Sequence, residues 1–224
     1  MRESPLDGRP ARACAASALA ALAVCASAPL SGCGGGSTHT SSSTAQAGAK
    51  SAFEGAPFPA GIHAPGFTLS DQDGRAVSLS DYRGRVVALT FLYSTCGDTC
   101  AVIAQQIRGA LDELQSEHAR APAVLMVSAD PAADTAPRVR AFLSEASLTG
   151  RAQFLTGTPA QLRAVWRAYR VKPASAGARL FAEYASVLLI DGAGEERVLF
   201  ESEELTPEAL SHDVGKLYGD PAGP

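Results

Sequence analysis

The 224-residue sequence predicts an α/β fold: a central mixed sheet with helices on both faces and an N-terminal β-hairpin. Three observations carry this. Val86 to Tyr93 is a continuous run of aliphatic, β-branched and aromatic residues, as in a strand buried on both faces, Ala123 to Val127 reads as another buried strand and Val187 to Ile190 as a further strand. Stretches with helical spacing and helix-start residues lie between them, and alternation of this kind implies a parallel or mixed sheet. Ahead of both, Phe67 to Leu69 and Val77 to Leu79 flank Asp71-Gln72-Asp73-Gly74, whose Asp-Gly step favours a tight hairpin turn. Hydrophobic residues make up 46% and charged residues 19%, so a core of useful size can form.

Residues 1–32 read as a lipoprotein signal peptide. Arg2, Arg9 and Arg12 precede an uncharged, Ala- and Leu-rich run from Ala13 to Leu30, followed by Leu30-Ser31-Gly32-Cys33. That last stretch resembles the bacterial lipoprotein box, in which cleavage leaves the cysteine at the new N-terminus for acylation. It predicts a lipid on Cys33 and a protein held at a membrane from the periplasmic or extracytoplasmic side. Residues 33–56, rich in Gly, Ser and Thr, read as a flexible tether, residues 57–219 as the folded domain and residues 220–224 as a disordered tail.

Within the domain, Ile103, Ile107, Leu111 and Leu114 form one apolar stripe on a helix from about Thr99 to Gln115, and counting back by fours reaches Cys100 and Cys96. Asp134 is read as the cap of a helix to about Ala146, with Pro137 in its first turn. Gln153 to Leu155 is a short strand. Thr158-Pro159 opens a helix to about Arg170, and Thr206-Pro207 opens the last one, ending near Tyr218. Arg197 to Phe200 pairs with the strand before it across the turn Asp191-Gly192-Ala193-Gly194.

Of the five cysteines, Cys14 and Cys25 leave with the signal peptide and Cys33 takes the lipid, so Cys96 and Cys100 remain as thiols. In an oxidising compartment they bond each other, hold a soft metal or attack an outside thiol. They sit where a buried strand meets a helix start, and free amides and the helix dipole there stabilise a thiolate. A thiolate is both the nucleophile of disulfide exchange and a ligand for Cu(I). Cys96, nearer the exposed loop, is read as the attacking sulfur and Cys100 as the resolving one. A purely structural disulfide closing so small a loop would add little entropic stability.

Phe67 to Gly84, Val86 to Cys100 with its Cys-x-x-x-Cys, Val127 to Thr135 and Phe154 to Val171 resemble, in order, the Sco/SenC family of thioredoxin-like copper proteins, and Ser186 to Gly194 resembles the family's following strand and turn. The resemblance implies a thioredoxin-like fold and one copper ion, Cu(I) favoured, bound through both motif cysteines and a distant histidine. It implies a membrane-anchored copper chaperone in cytochrome c oxidase maturation, whose partner is an oxidase subunit or another thiol or copper protein. The alternative is an extracytoplasmic thiol–disulfide oxidoreductase that uses Cys96 and Cys100 as a redox pair without stable copper binding.

The sequence departs from the family pattern at two points. Glu183 occupies the place of the histidine, and no histidine occurs between His118 and His212. A carboxylate is a hard ligand and a poor substitute for imidazole toward Cu(I). Gly97 and Ala101 stand after the two cysteines, where the family usually has proline. Among other residues, His63 is read as a solvated loop residue, His212 as solvent-facing, Met126 as core, Trp166 and Tyr169 as packing, and Asp130 as a turn residue. Asp98 is placed to meet the helix dipole, to cap, or to repel the thiolates. The basic residues are dispersed, which argues against nucleic-acid binding, and neither a glycine-rich phosphate loop nor a Ser/His/Asp arrangement is present.

Overall fold

Strand Val87–Leu92 lies at the centre of the molecule because all six of its side chains are buried. The computed structural model describes residues 53–176, 181 and 185–219. In chain order the strands are β1 (Ala56–Pro57), β2 (Thr68–Ser70), β3 (Ala76–Ser78), β4 (Val87–Leu92), β5 (Ala123–Ser128), β6 (Ala152–Leu155), β7 (Ser186–Ile190) and β8 (Glu196–Glu201). The helices are α1 (Asp98–Ser116), α2 (Ala136–Glu145), α3 (Pro159–Ala168) and α4 (Pro207–Gly219). Six strands form one sheet in the order β1-β8-β7-β4-β5-β6, and β2 and β3 form the predicted hairpin. β4, β5 and β6 are parallel, and β7, β8 and β1 add antiparallel on the other side.

The sheet separates two cores. On one face Ala88, Leu92, Val124, Met126 and Val187 pack against α1, α2 and α4. On the other Val87, Leu89, Phe91, Leu125 and Val127 meet α3 and the hairpin through Leu162, Trp166, Leu69 and Val77. This two-sided burial is the reason β4 and β5 read as largely apolar runs, broken only by Thr90 and Ser128. The stripe on α1 faces inward as predicted, with Cys100, Ile103, Ile107, Leu111 and Leu114 all buried. Burying each large aliphatic chain contributes about 2 kcal/mol. Thr158 caps α3 in a reciprocal box with Gln161, and Thr206 Oγ1 accepts the Ala209 N–H at the start of α4.

Two expectations need correction. The ordered fold begins earlier than residue 57: Ala56 belongs to β1, in the stretch assigned to the tether, and Glu54 and Gly55 N–H groups donate to the fully buried Asp213 carboxylate at 3.0–3.1 Å. Gly55 is required there, since a Cβ would stand 2.5 Å from Val198 Cγ1 and 3.0 Å from the Leu199 carbonyl oxygen. The N-cap of α2 is Thr135, not Asp134. Asp134 turns inward, where two donors at the strand ends each bond one of its carboxylate oxygens. The signal peptide, Cys33, most of the tether, Glu183 and residues 220–224 lie outside the described residues.

Candidate functional site

The loops at the C-terminal ends of β4 and β5 converge, and the cysteine pair sits between them. β4 delivers the chain to Tyr93, whose buried ring packs edge-on against Phe181 with centroids 4.9 Å apart. Cys96 N–H donates to the Tyr93 carbonyl at 3.2 Å, turning the chain back toward α1. Cys96 precedes the helix and is partly exposed, whereas Cys100 is its third residue and only 1% exposed. The sulfurs are bonded to each other, with the Cα atoms 5.9 Å apart, inside the ordinary disulfide range.

Gly97 makes this turn possible. It is the N-cap of α1 with φ 75° and ψ −142°. Proline, with φ fixed near −65°, cannot take that conformation, so a chain with proline here would follow another path. Asp98 is exposed in the first turn of α1 and does not cap the helix. It is an acid at the positive end of the dipole.

Asp134 closes the site from the β5 side. It is 5% exposed; Oδ1 accepts the Ser94 N–H at 2.6 Å and Oδ2 accepts the Ser128 hydroxyl at 2.6 Å. Burial pushes its carboxyl above the ordinary carboxylate range, against the lowering effect of those hydrogen bonds and with a smaller push from Asp130. Burial, then the charges of Asp130 and Asp134, push the Tyr93 hydroxyl up. The Ser128 carbonyl accepts the Trp166 Nε1–H at 2.9 Å, so Trp166 packs as predicted and is also tied to the strand end beneath the site. Sequence reasoning missed the roles of Ser94, Ser128 and Asp134 at the loop. The one available signal was the pair of acids in Asp130-Pro131-Ala132-Ala133-Asp134 after a buried strand.

The described histidines stand away from the cysteine loop. His63 pairs with Glu195 beside the β7–β8 turn, at the other end of the sheet, and His118 follows the far end of α1. His212, on α4, bonds to Asp213 Oδ1 at 2.9 Å. Met126 is fully buried, as a core residue should be. Among the described residues no group of three or more His, Cys, Asp or Glu side chains is placed to hold a metal ion. None of their helices is long and apolar enough to cross a membrane.

Residues 57–219 match the SCO1/SenC family. The chain belongs to that family. Its relatives include the mitochondrial protein SCO1 homolog 2 of Arabidopsis thaliana, 31% identical over 141 residues that cover 63% of this chain and 44% of that protein. The match thus spans less than half of that relative's length. Among solved structures, apo Sco1 of Thermus thermophilus is 20% identical with a TM-score of 0.60, covering 76% of this chain and 99% of that one. Copper-bound ScoI of Bradyrhizobium japonicum is 25% identical with a TM-score of 0.52, covering 70% and 99%. The fold is thioredoxin-like, with the cysteine pair of this SCO1/SenC member at the strand-to-helix junction.

Proposed function

We propose that this SCO1/SenC protein is a copper chaperone for cytochrome c oxidase maturation, carrying one Cu(I) on the thiolates of reduced Cys96 and Cys100. The observation that supports it most is the placement of the pair: Cys96 partly exposed before the helix and Cys100 buried just inside its N-terminus, in a chain of a family with a copper-bound member. Thiolates are soft donors that suit Cu(I), and two of them suffice for an ion that accepts low coordination. Glu183, at the family's histidine position, or a ligand from the recipient completes the site. A lipid on Cys33 would hold the domain on the extracytoplasmic side of a membrane, within reach of an oxidase subunit.

Titration of the reduced protein with Cu(I) in competition with a chromogenic chelator tests the reading. Binding should be lost in the Cys96→Ser, Cys100→Ser double variant, and Glu183→His should tighten it several-fold. Equal affinity in the wild type and the double variant would refute it.

The bonded state of the pair, together with the absence of a histidine between His118 and His212, favours a second reading as a thiol–disulfide oxidoreductase. The Cys96 thiolate attacks a partner disulfide, forming a mixed disulfide and releasing one partner thiol. The Cys100 thiolate then attacks the Cys96 sulfur, closing the internal disulfide and releasing the second partner thiol. A Cys100→Ser variant should accumulate mixed disulfides with its clients in cells; recovery of none would count against this route.

A further inference from the structure

The carboxylate of Asp134 reaches across 40 residues of sequence to the backbone of the cysteine loop, and neither reading of the pair uses it. The loop from Tyr93 to Gly97 is held at three places. The Cys96 N–H turns back to the Tyr93 carbonyl, Gly97 leads into α1, and the Ser94 N–H rests on Asp134 Oδ1 at 2.6 Å. The first two belong to the loop and the helix it enters. Asp134 is the one of the three that ties the loop to the end of the neighbouring strand. It is itself fixed, because Oδ2 takes the Ser128 hydroxyl at 2.6 Å and the Ser128 carbonyl is held by Trp166.

We propose that Asp134 is the positioning residue of the cysteine pair: by holding the Ser94 N–H it keeps the loop in the path that brings Cys96 against Cys100, and so sets the balance between disulfide and dithiol. A carboxylate is an expensive way to satisfy one N–H and one hydroxyl in a buried place. The upward push on its carboxyl shows that two hydrogen bonds do not fully offset the burial. A charged acceptor does give short, directional, strong bonds. When the disulfide opens, the carboxylate retains the loop and keeps the two thiols at a high effective concentration. Without it the loop relaxes and reclosure is disfavoured.

The inference rests on the pair cycling between its two redox states and not on copper, so its test is run without metal. The full chain is equilibrated with glutathione buffers. In the reaction two molecules of glutathione thiol reduce one Cys96–Cys100 disulfide, yielding one glutathione disulfide and two protein thiols. The fraction oxidised is read by alkylation and mass spectrometry on the proteolytic peptide carrying both cysteines. Asp134→Ala should shift the equilibrium about tenfold toward the dithiol, about 30 mV for a two-electron couple.

Asp134→Asn keeps an oxygen for the Ser94 N–H, and the Ser128 hydroxyl can turn to accept from its amide. It should lie within about threefold of the wild type. Should Asp134→Ala fail to fold, Ser128→Ala, which frees one side of the carboxylate, should shift the balance in the same direction by two- to threefold. The proposal fails if Asp134→Ala lowers the thermal midpoint but leaves the redox equilibrium within twofold of the wild type. It also fails if Asp134→Asn shifts that equilibrium as far as Asp134→Ala, or if Ser128→Ala does not move it.

Discussion

Two buried aspartates do similar work in different parts of this protein. Asp213, on α4, accepts the backbone N–H groups of Glu54 and Gly55 and fastens the first described residues to the last helix. Asp134, after β5, accepts the Ser94 N–H and fastens the cysteine loop to the central sheet. The first closes a segment packed against Val198 and Phe200. The second closes the loop that holds the cysteine pair. One device, a buried carboxylate on a backbone donor, therefore serves stability at Asp213 and chemistry at Asp134. The neighbourhood and not the bond itself decides which.

The largest expected effect falls on the stability side of this contrast. Asp213→Ala leaves the buried Gly55 N–H and the part-buried Glu54 N–H without their charged acceptor and should cost about 3 kcal/mol in urea unfolding. The glutathione equilibrium of Cys96 and Cys100 should stay at its wild-type value. A shift of that equilibrium in Asp213→Ala would break the division between the two acids.

Gly97 tests the loop from within. Gly97→Ala places a side chain at positive φ and should cost about 1 kcal/mol by the same unfolding measurement, although space around the Cβ is open. Gly97→Pro cannot keep the turn and should alter Cu(I) affinity more than Gly97→Ala does.

The smallest expected effect is a pH dependence. The Asp134 carboxyl is pushed up in the folded state, chiefly by burial. From the ordinary carboxylate range up to its raised value, the folded protein holds a proton that the unfolded chain has released. Stability therefore falls as pH rises through that window. Urea midpoints measured across it should decline less in Asp134→Asn than in the wild type. Equal declines would place the carboxylate in a setting no different from water.

Much of this was legible in the sequence. The aliphatic, β-branched and aromatic run Val87–Leu92 announced a strand buried on both faces, and the stripe through Ile103, Ile107 and Leu111 announced the inner face of α1. The cysteine pair at their junction needed nothing more than adjacency. Asp134 was misread because Asp134-Thr135-Ala136-Pro137 is a good helix-start pattern, and Thr135 took the cap position instead. β1 was missed because two residues give no periodicity; their pairing depends on the exposed edge of β8.

The sequence by itself determined the order and type of the main elements, the SCO1/SenC resemblance and the site of the two sulfurs, because strand and helix periodicity and the spacing of Cys96 and Cys100 are local properties of the chain. Only the tertiary structure decided which acid meets the cysteine loop and where the fold begins. Ser94 meets Asp134 because β4 and β5 lie side by side in register, ending together at Leu92 and Ser128. Glu54 and Gly55 meet Asp213 because β8 offers β1 an edge beside α4. Strand order fixes both contacts, and it follows from burying two faces of one sheet at once.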